Sequence, residues 1–289
     1  METPNYFADA DASLDDADFV IFGVPYDKTS TFRKGSKKGP IEIRKASWNF
    51  ETYNFFKDID IKDIKIHDYG DLEVLDLTPA EMVEKVKNFT NGLIEKGKFP
   101  ISLGGEHSIS SGIVSSFSKD IAVLSLDAHM DFRNIYENEK FNHACVMKRI
   151  LDHIDIKNIA ILGVRSAEKE EYIDAKNKGL FFIDSFEIKD QGIKKVINKT
   201  KNYLKDKDIY LTIDIDVIDP AYAPGTGTPE PFGITPFDAK EIIESFSDKL
   251  VGFDIVEVNP EYDNGQTAVL ACKLLRTLIE SVHKSVKKD

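Results

Sequence analysis

Two carboxylates and an imidazole follow one apolar run closely enough to share a binding site. The run Ile121 to Leu126 is apolar on both faces, which is typical of a buried parallel strand, and it leads directly into Asp127-Ala128-His129-Met130-Asp131. Because side chains alternate along a strand, residues 127, 129 and 131 are expected to point the same way. Burying such a cluster without a counter-ion is unfavourable, so the pattern predicts a metal site.

Polar residues of the same kinds follow three other apolar runs. His107 lies in a Gly-Gly-Glu-His-Ser segment that ends at Ser108, Asp214 and Asp216 close a second run, and Glu257 closes a third. Each segment alone could simply begin a turn or a helix. Open α/β sheets, however, bind ligands at the carboxyl ends of their strands, so one crevice can collect all of them. The expected metal ligands are His107, Asp127, His129, Asp131, Asp214 and Asp216.

The types of these ligands indicate which metal they would bind. Four carboxylates and two imidazoles without a thiolate suit a hard or borderline ion such as Mn²⁺ better than a cysteine-bound zinc. The set is also too large for one catalytic zinc, which takes about three protein ligands. Two divalent cations would neutralise the four aspartates, and a hydroxide between them would make the site slightly negative. Such a site suits a cationic substrate.

Strand-like and helix-like stretches alternate along the chain, which predicts a parallel sheet covered by helices on both faces. The expected strands are Phe19 to Val24, Ile64 to Ile66, Phe99 to Leu103, Ile121 to Leu126, Ile159 to Gly163, Leu180 to Ile183, Ile209 to Asp214 and Val251 to Glu257. The expected helices are Thr78 to Lys96, Phe186 to Lys205, Thr235 to Ser247 and Gln266 to Lys284. The Gly/Pro-rich stretch Pro220 to Gly233 is interpreted as a structured loop over a site, and residues 1–289 as a single domain.

Composition restricts the compartment and the partners. The net charge of −12 argues against nucleic acid and favours a cationic ligand, although solubility alone would also explain it. Cys145 and Cys272 have neither disulfide-like nor metal-like spacing, which fits a reduced compartment, and Cys145 is expected to be a buried, inert thiol. The N-terminus lacks the blocks of a signal peptide, and no apolar run is long enough to span a membrane. We therefore expect a cytoplasmic protein without a membrane partner.

The order of these motifs resembles that of the ureohydrolase family, which contains arginase and agmatinase. The resemblance rests on Gly23 to Asp27, Gly104 to Ser108, Asp127 to Asp131, and Asp214 to Gly227, with Glu106 where the family more often has aspartate. It implies a three-layer α/β/α sandwich around a mostly parallel eight-stranded sheet. It also implies two Mn²⁺ ions per chain, hydrolysis of a guanidino group to urea and an amine by an activated water, and a homo-oligomer, either a trimer or a hexamer.

The resemblance also implies a role for each site residue. One ion is bound by His107 and Asp131, the other by His129 and Asp216, and Asp127 and Asp214 bridge the two. Asp131 relays a proton to the leaving amine, Glu257 pairs with the substrate guanidinium, and His143 shuttles protons to bulk water. From the residues alone, a solvated histidine at a helix start is the favoured interpretation of His143, and the shuttle role comes only from the resemblance. An imidazole suits the shuttle because its unperturbed pKa is about 6.5.

The loops that would bind the substrate tail resemble those of agmatinases. Pro224 to Pro231 has the agmatinase form, and Glu137 and Glu139 in the segment after Arg133 would suit an amine tail better than a carboxylate. Arg133 is expected to contact the substrate and could itself bind a carboxylate. Agmatine, cleaved to putrescine and urea, is the expected substrate. Arginine, aminopropylagmatine, guanidinobutyrate and guanidine stay open as alternatives.

Two other classes of protein compete with this interpretation. A mononuclear zinc deacylase needs only an Asp-His-Asp triad, which would leave His107, Asp127 and Asp214 without a function. A non-catalytic metal-binding or polyamine-binding protein would not need Glu257 and His143 in addition to the ligands. The complete set of residues therefore favours an enzyme.

Overall fold

The central sheet of the computed structural model, which describes residues 4–286, is entirely parallel. The strands are β1 Phe19–Val24, β2 Tyr53–Asn54, β3 Ile59–Asp60, β4 Ile66–Asp71, β5 Phe99–Gly104, β6 Ala122–Leu126, β7 Ile159–Val164, β8 Phe181–Asp184, β9 Ile209–Asp214 and β10 Leu250–Val256. β2 and β3 form a small antiparallel hairpin, and the other eight form the sheet in the order β4-β1-β5-β10-β9-β6-β7-β8.

Helices follow most of the sheet strands and cover both faces of the sheet. They are α1 Gly39–Ser47, α2 Pro79–Glu95, α3 Ile109–Val114, α4 Val146–Leu151, α5 Lys169–Lys178, α6 Ser185–Gln191, α7 Ile193–Leu204, α8 Pro236–Phe246 and α9 Gln266–Val286. Along β1, Phe19 and Ile21 join the apolar core that includes α1, α8 and α9. Val20 and Phe22 alternate with them and join the core that includes α2, α3 and α4. The three-layer α/β/α architecture expected from the sequence is therefore confirmed.

Several element boundaries differ from the sequence-based expectations. The helix expected over Phe186 to Lys205 is two helices, because Gly192 adopts φ 79° between α6 and α7. The strand expected over Ile64 to Ile66 begins only at Ile66 and runs to Asp71 along the edge of the sheet. That edge strand is polar and partly exposed, so it lacks the apolar pattern of a buried strand. The helices α1 and α5 were not expected, whereas α3 and α4 begin close to the Gly104-Gly105 turn and to His143, where a helix start was considered.

The two cysteines and the helices agree with the other expectations from composition. Cys145 and Cys272 are both buried and free, and burial raises the pKa of each thiol to about 12. Cys145 ends the 3₁₀ turn His143–Cys145 rather than lying inside a helix. Within residues 4–286, no helix is both long and apolar enough to cross a membrane.

Candidate metal centre and active site

The predicted site residues meet at the carboxyl edge of the four central strands β5, β10, β9 and β6. His107 follows β5 and Asp127 follows β6. Asp214 is the last residue of β9, and Glu257 comes directly after β10. All six expected metal ligands lie in this one crevice, as the sequence predicted for open α/β sheets.

His107 is brought into the crevice by a tight turn between β5 and α3. A Cβ atom on Gly105 would lie 2.0 Å from the carbonyl oxygen of Tyr26, so only glycine permits this close approach. The Nδ1 atom of His107 lies 3.1 Å from Asp127 Oδ2, 3.1 Å from Asp131 Oδ2 and 3.5 Å from Asp214 Oδ2. Three carboxylate oxygens thus surround one imidazole nitrogen.

His129 forms the second half of the cluster. Its Nδ1 atom lies 3.0 Å from Asp216 Oδ2 and 3.7 Å from Asp127 Oδ1. Two groups of three side chains have ligand atoms close enough to hold a metal ion: His107 with Asp127 and Asp214, and His129 with Asp127 and Asp216. Because Asp127 belongs to both groups, the arrangement can hold two neighbouring cations.

Backbone amides orient three of the carboxylates. Asp127 Oδ1 accepts a hydrogen bond from the His129 amide (2.7 Å), Asp214 Oδ1 from the Asp216 amide (2.9 Å), and Asp216 Oδ1 from the Ala128 amide (3.2 Å). In each carboxylate the Oδ2 atom lies toward a histidine of the cluster. The backbone therefore fixes each group with one oxygen and leaves the other to bind a ligand.

The local backbone that positions Asp131 and Glu257 is not a strand. β6 ends at Leu126, and Asp131 adopts φ 46°, so the strand alternation expected over residues 127–131 was wrong although the side chains do converge. Glu257 adopts φ 60°, where its amide donates to the Gly105 carbonyl (2.8 Å). Left-handed backbone at non-glycine residues costs on the order of 1–3 kcal/mol and is concentrated at functional sites.

The electrostatics of the cluster favour a cation. Burial raises the pKa of Asp131 and of Asp214, and the charge of a neighbouring aspartate adds to each shift. Burial alone would lower the pKa of His107 and of His129, but the surrounding aspartates raise both well above the usual value. Aspartates that raise one another's pKa are held closer together than water would tolerate, and divalent cations in place of protons would neutralise them.

Two buried atoms test directly whether a cation fits. His107 Nδ1 and Asp127 Oδ2 are buried 3.1 Å apart, and neither has a hydrogen-bond partner within residues 4–286. Buried polar atoms are nearly always paired in native proteins, so these two mark a position where a cation would satisfy both. The oxygen and nitrogen donors, with no thiolate, fit a hard or borderline divalent ion.

A small cavity of about 200 Å³ opens beside the cluster. Its lining includes Asp131, Arg133, His143, Glu171, Asp214 and Glu257. Glu257 is buried, and its Oε1 accepts a hydrogen bond from the His107 amide (2.8 Å). Burial, together with the charge of Glu106, raises the pKa of Glu257. The cavity therefore contains a carboxylate of fixed orientation directly beside the expected metal ligands.

His143 lies in the cavity wall, and its ring contacts the side chain of Thr29. Its Nδ1 atom is 3.3 Å from the hydroxyl of Thr29, which also accepts a hydrogen bond from the His143 amide (3.0 Å). Thr29 in turn donates its hydroxyl and its amide to the fully buried carboxylate of Glu106, each at 2.7 Å. Burial, followed by the charge of His129, lowers the pKa of His143 to about 4. His143 is therefore neutral near pH 7.

The glutamates that line the cavity are not those expected from the sequence. Glu137 and Glu139 do not line the cavity, whereas Glu171 of α5 does. Glu171 lies 3.6 Å from the guanidinium of Arg133, and Glu168 lies 3.6 Å from another nitrogen of the same group. Glu168 and Glu171 form the capping box of α5, a spacing that could have identified this helix start in the sequence.

The Gly/Pro-rich stretch over residues 220–233 is an ordered loop, as expected. Arg165 anchors it with side-chain hydrogen bonds to the carbonyls of Glu230 (2.8 Å) and Pro231 (3.0 Å). The same guanidinium donates to the carbonyl of Asp216 (2.6 Å), so it connects the loop to a predicted metal ligand. No feature of the sequence pointed to Arg165, because every residue has a backbone carbonyl and the residue types therefore do not show which carbonyls a side chain will bind.

Comparisons with known proteins agree over nearly the whole chain. The profile of the Arginase family matches residues 17–280. The agmatinase of Bacillus anthracis is 36% identical over 285 residues, which are 94% of each protein. The N(1)-aminopropylagmatine ureohydrolase of Thermococcus kodakarensis is 36% identical over 263 residues, which are 90% of this chain and 88% of the relative. The crystal structure of the agmatine ureohydrolase of Thermoplasma volcanium has a TM-score of 0.95 and 42% identity, over 100% of this chain and 97% of that one.

Proposed function

The chain belongs to the arginase family and is a ureohydrolase, and on that premise we propose that it hydrolyses agmatine to putrescine and urea with two Mn²⁺ ions. The enzyme class follows from the family and from the agmatinases and agmatine ureohydrolase to which the chain is similar. The agmatine tail, the manganese ions and the roles of the individual residues are the proposal.

The observation that carries the proposal is the pair of ligand groups that share Asp127 beside the cavity containing Glu257. His107, Asp127, Asp131 and Asp214 would hold one ion, and Asp127, His129 and Asp216 the other. Asp127 belongs to both ligand groups of the described residues, and the bridging role expected of Asp214 stays a prediction. When bound, the two ions would lower the pKa of a water molecule towards neutrality and present it as a nucleophile. This help is needed because a guanidinium is cationic and resonance-stabilised, and therefore a poor electrophile.

The cavity residues would bind the guanidinium and move protons. Glu257 is oriented by the His107 amide, so its carboxylate can accept N–H bonds from a guanidinium held above the metal ligands. Asp131 is expected to carry a proton to the leaving amine, because its carboxylate lines the cavity beside the other expected metal ligands. His143 lies in the cavity wall and is expected to pass protons to solvent, but burial lowers its pKa to about 4, so it is a weaker base than an ordinary imidazole and would hold a proton only briefly.

The surroundings of Arg133 support an amine tail over an amino-acid tail. Glu168 and Glu171 both lie 3.6 Å from its guanidinium, so two carboxylates already balance its single positive charge. The group as a whole is negative and would attract the ammonium of agmatine, whereas the carboxylate of arginine would compete with both glutamates. The two relatives and the solved structure that are mentioned above are likewise named after agmatine or an agmatine derivative.

A second substrate is favoured by a neighbouring groove, which shares Arg133, Tyr136 and Glu171 with the lining of the cavity. This groove has a volume of about 400 Å³, and its lining includes Glu168, Glu170 and Asp174. A longer tail with a second ammonium, as in aminopropylagmatine, could extend into it. We keep aminopropylagmatine as the alternative substrate. A homo-oligomer, a cytoplasmic location and a single domain over the whole chain also stay proposals.

The test is urea release by the manganese-loaded protein and by Asp131→Asn. We expect the wild-type protein to release urea from agmatine, and Asp131→Asn to lose nearly all of this activity, by roughly 1000-fold or more. Asp120→Asn, which makes the same change on the exposed loop before β6, is the matched control and should keep wild-type activity. Unchanged activity in Asp131→Asn would contradict its catalytic role, and a failure of the wild type to release urea from any guanidino compound would contradict the proposed reaction.

A further inference from the structure

Asp254 is a buried charge in the middle of an apolar strand, away from the cavity. It lies within β10, whose residues are nearly all buried, and its side chain is inaccessible to solvent. Placing a carboxylate there costs several kcal/mol unless hydrogen bonds satisfy it. None of the roles proposed above for the metal ligands and cavity residues uses this group. An apolar residue at this position would avoid that cost.

Two hydroxyl groups of the neighbouring strand β9 donate to Asp254. Tyr210 donates its hydroxyl to Oδ2 and Thr212 donates to Oδ1, each at 2.5 Å. A hydroxyl carries only one proton, so the proton of Thr212 is committed to Asp254. The Thr212 oxygen can therefore act only as an acceptor toward its other neighbours.

The other principal neighbour of that oxygen is the imidazole of His107. His107 Nε2 lies 3.0 Å from Thr212 Oγ1. Since Thr212 can only accept here, Nε2 must carry a proton, and an unprotonated Nε2 would face an oxygen lone pair instead. Ser110 Oγ, at 3.4 Å from the same oxygen, is a second possible donor to it and does not change the proton count on Thr212. The chain of bonds leaves Nδ1 as the nitrogen that offers a lone pair.

We propose that Asp254 is a positioning residue for metal binding, which acts through Thr212 to keep the proton of His107 on Nε2 and the lone pair of Nδ1 directed at the cation. The inference rests on the proposed metal centre. Its geometry is consistent with that centre, because Nδ1 is a buried atom without a hydrogen-bond partner among residues 4–286 and lies 3.1 Å from Asp127 and from Asp131. Groups that orient a ligating histidine typically change metal affinity by about 10- to 100-fold.

Substitution of Asp254 should therefore weaken metal binding rather than substrate binding. In Asp254→Asn the side-chain amide can donate to Thr212, which frees the Thr212 proton for Nε2 and favours the wrong tautomer of His107. Thr212→Val removes the hydroxyl altogether and leaves Nε2–H without its acceptor. Thr212→Ser keeps the hydroxyl and serves as the conservative rescue. Tyr210→Phe removes the other hydrogen bond of Asp254 but leaves the connection to His107 intact, so it controls for a purely structural role.

The experiment is competition of each full-length variant with a chelating indicator for Mn²⁺, together with KM for agmatine at saturating Mn²⁺. We expect Asp254→Asn and Thr212→Val to raise Kd for one of the two ions by about 10- to 100-fold. Thr212→Ser and Tyr210→Phe should stay within about threefold of the wild-type Kd, and KM should stay within about threefold in every variant that folds. If Asp254→Asn fails to fold, the comparison of Thr212→Val with Thr212→Ser decides the question.

The possible failures can be distinguished. If the wild-type protein binds two Mn²⁺ ions and the Asp254→Asn and Thr212→Val variants bind them with unchanged Kd, the role of Asp254 is contradicted and the proposed function stands. Equal loss of affinity in Tyr210→Phe would also contradict it, because it would indicate a general loss of packing. If the wild-type protein binds no Mn²⁺, both the metal centre and the role of Asp254 are contradicted.

Discussion

Glu257→Gln should strongly weaken catalysis while leaving the metal site intact. Glu257 is buried in the cavity, and its Oε1 is held by the His107 amide at 2.8 Å. A carboxylate and a guanidinium in contact at about 4 Å attract each other by about 4 kcal/mol at an effective dielectric constant of about 20. Glutamine keeps the hydrogen-bonding oxygen but loses the charge. We therefore expect a loss of roughly 2–4 kcal/mol, or about 30- to 1000-fold in kcat/KM.

The assay is urea release from agmatine at saturating Mn²⁺, with Mn²⁺ affinity measured on the same preparation. The glutamine oxygen can still accept from the His107 amide, so Kd for Mn²⁺ should change by less than about threefold. Glu261→Gln is the matched control, since Glu261 pairs with Lys38 at the surface and should tolerate the change. A loss of kcat/KM smaller than about fivefold in Glu257→Gln would refute the charged contact with the guanidinium. A loss of Mn²⁺ binding would show instead that Glu257 supports the metal site.

Three further predictions concern the groups around the cavity. Glu106→Asp shortens the side chain that binds Thr29, so Thr29 no longer holds His143 in place. We expect kcat to fall about tenfold and the pH profile of kcat to shift, both measured as steady-state rates across pH. An unchanged pH profile would contradict the link between Glu106 and His143. Glu171→Gln removes one of the two negative charges beside Arg133. The ratio of kcat/KM for agmatine to kcat/KM for arginine should then fall by about five- to tenfold. An unchanged ratio would contradict the role of this glutamate. The affinity for Mn²⁺ should rise with pH, because the histidines of the cluster have raised pKa values and must lose protons to bind a metal. Calorimetry in buffers of different ionisation enthalpy measures the number of protons released on binding. Binding that does not depend on pH would contradict the assignment of these histidines as ligands.

The sequence predicted the sheet and the location of the site because both depend on short-range patterns. Apolar runs that end in aspartate or histidine mark buried parallel strands with polar carboxyl ends, and parallel strands share one edge. That reasoning placed His107, Asp127, Asp214 and Glu257 at one edge of the sheet, where the structure also has them. It failed for the polar edge strand β4, whose residues Ile66–Asp71 do not need an apolar pattern.

The remaining features depend on contacts between residues distant in sequence. The left-handed backbone at Asp131 and Glu257 is fixed by packing and by the Gly105 carbonyl, and the residue types alone do not specify it. Glu137 and Glu139 were expected to contact the substrate tail because the resemblance places residues 133–143 at the mouth of the site, but neither lines the cavity, whereas Glu171 of α5 does. Glu171 could not be identified without knowing how α5 packs against the crevice.

The measurement that most directly tests the central claim is kcat/KM for urea release by the manganese-loaded protein on a panel of guanidino compounds. The panel contains agmatine, aminopropylagmatine, arginine, guanidinobutyrate and guanidine. We predict Mn²⁺-dependent urea release with agmatine preferred over arginine by at least about tenfold, which corresponds to about 1.4 kcal/mol of discrimination. Arginine preferred over agmatine would contradict the proposed substrate, and no urea from any compound would contradict the proposed reaction.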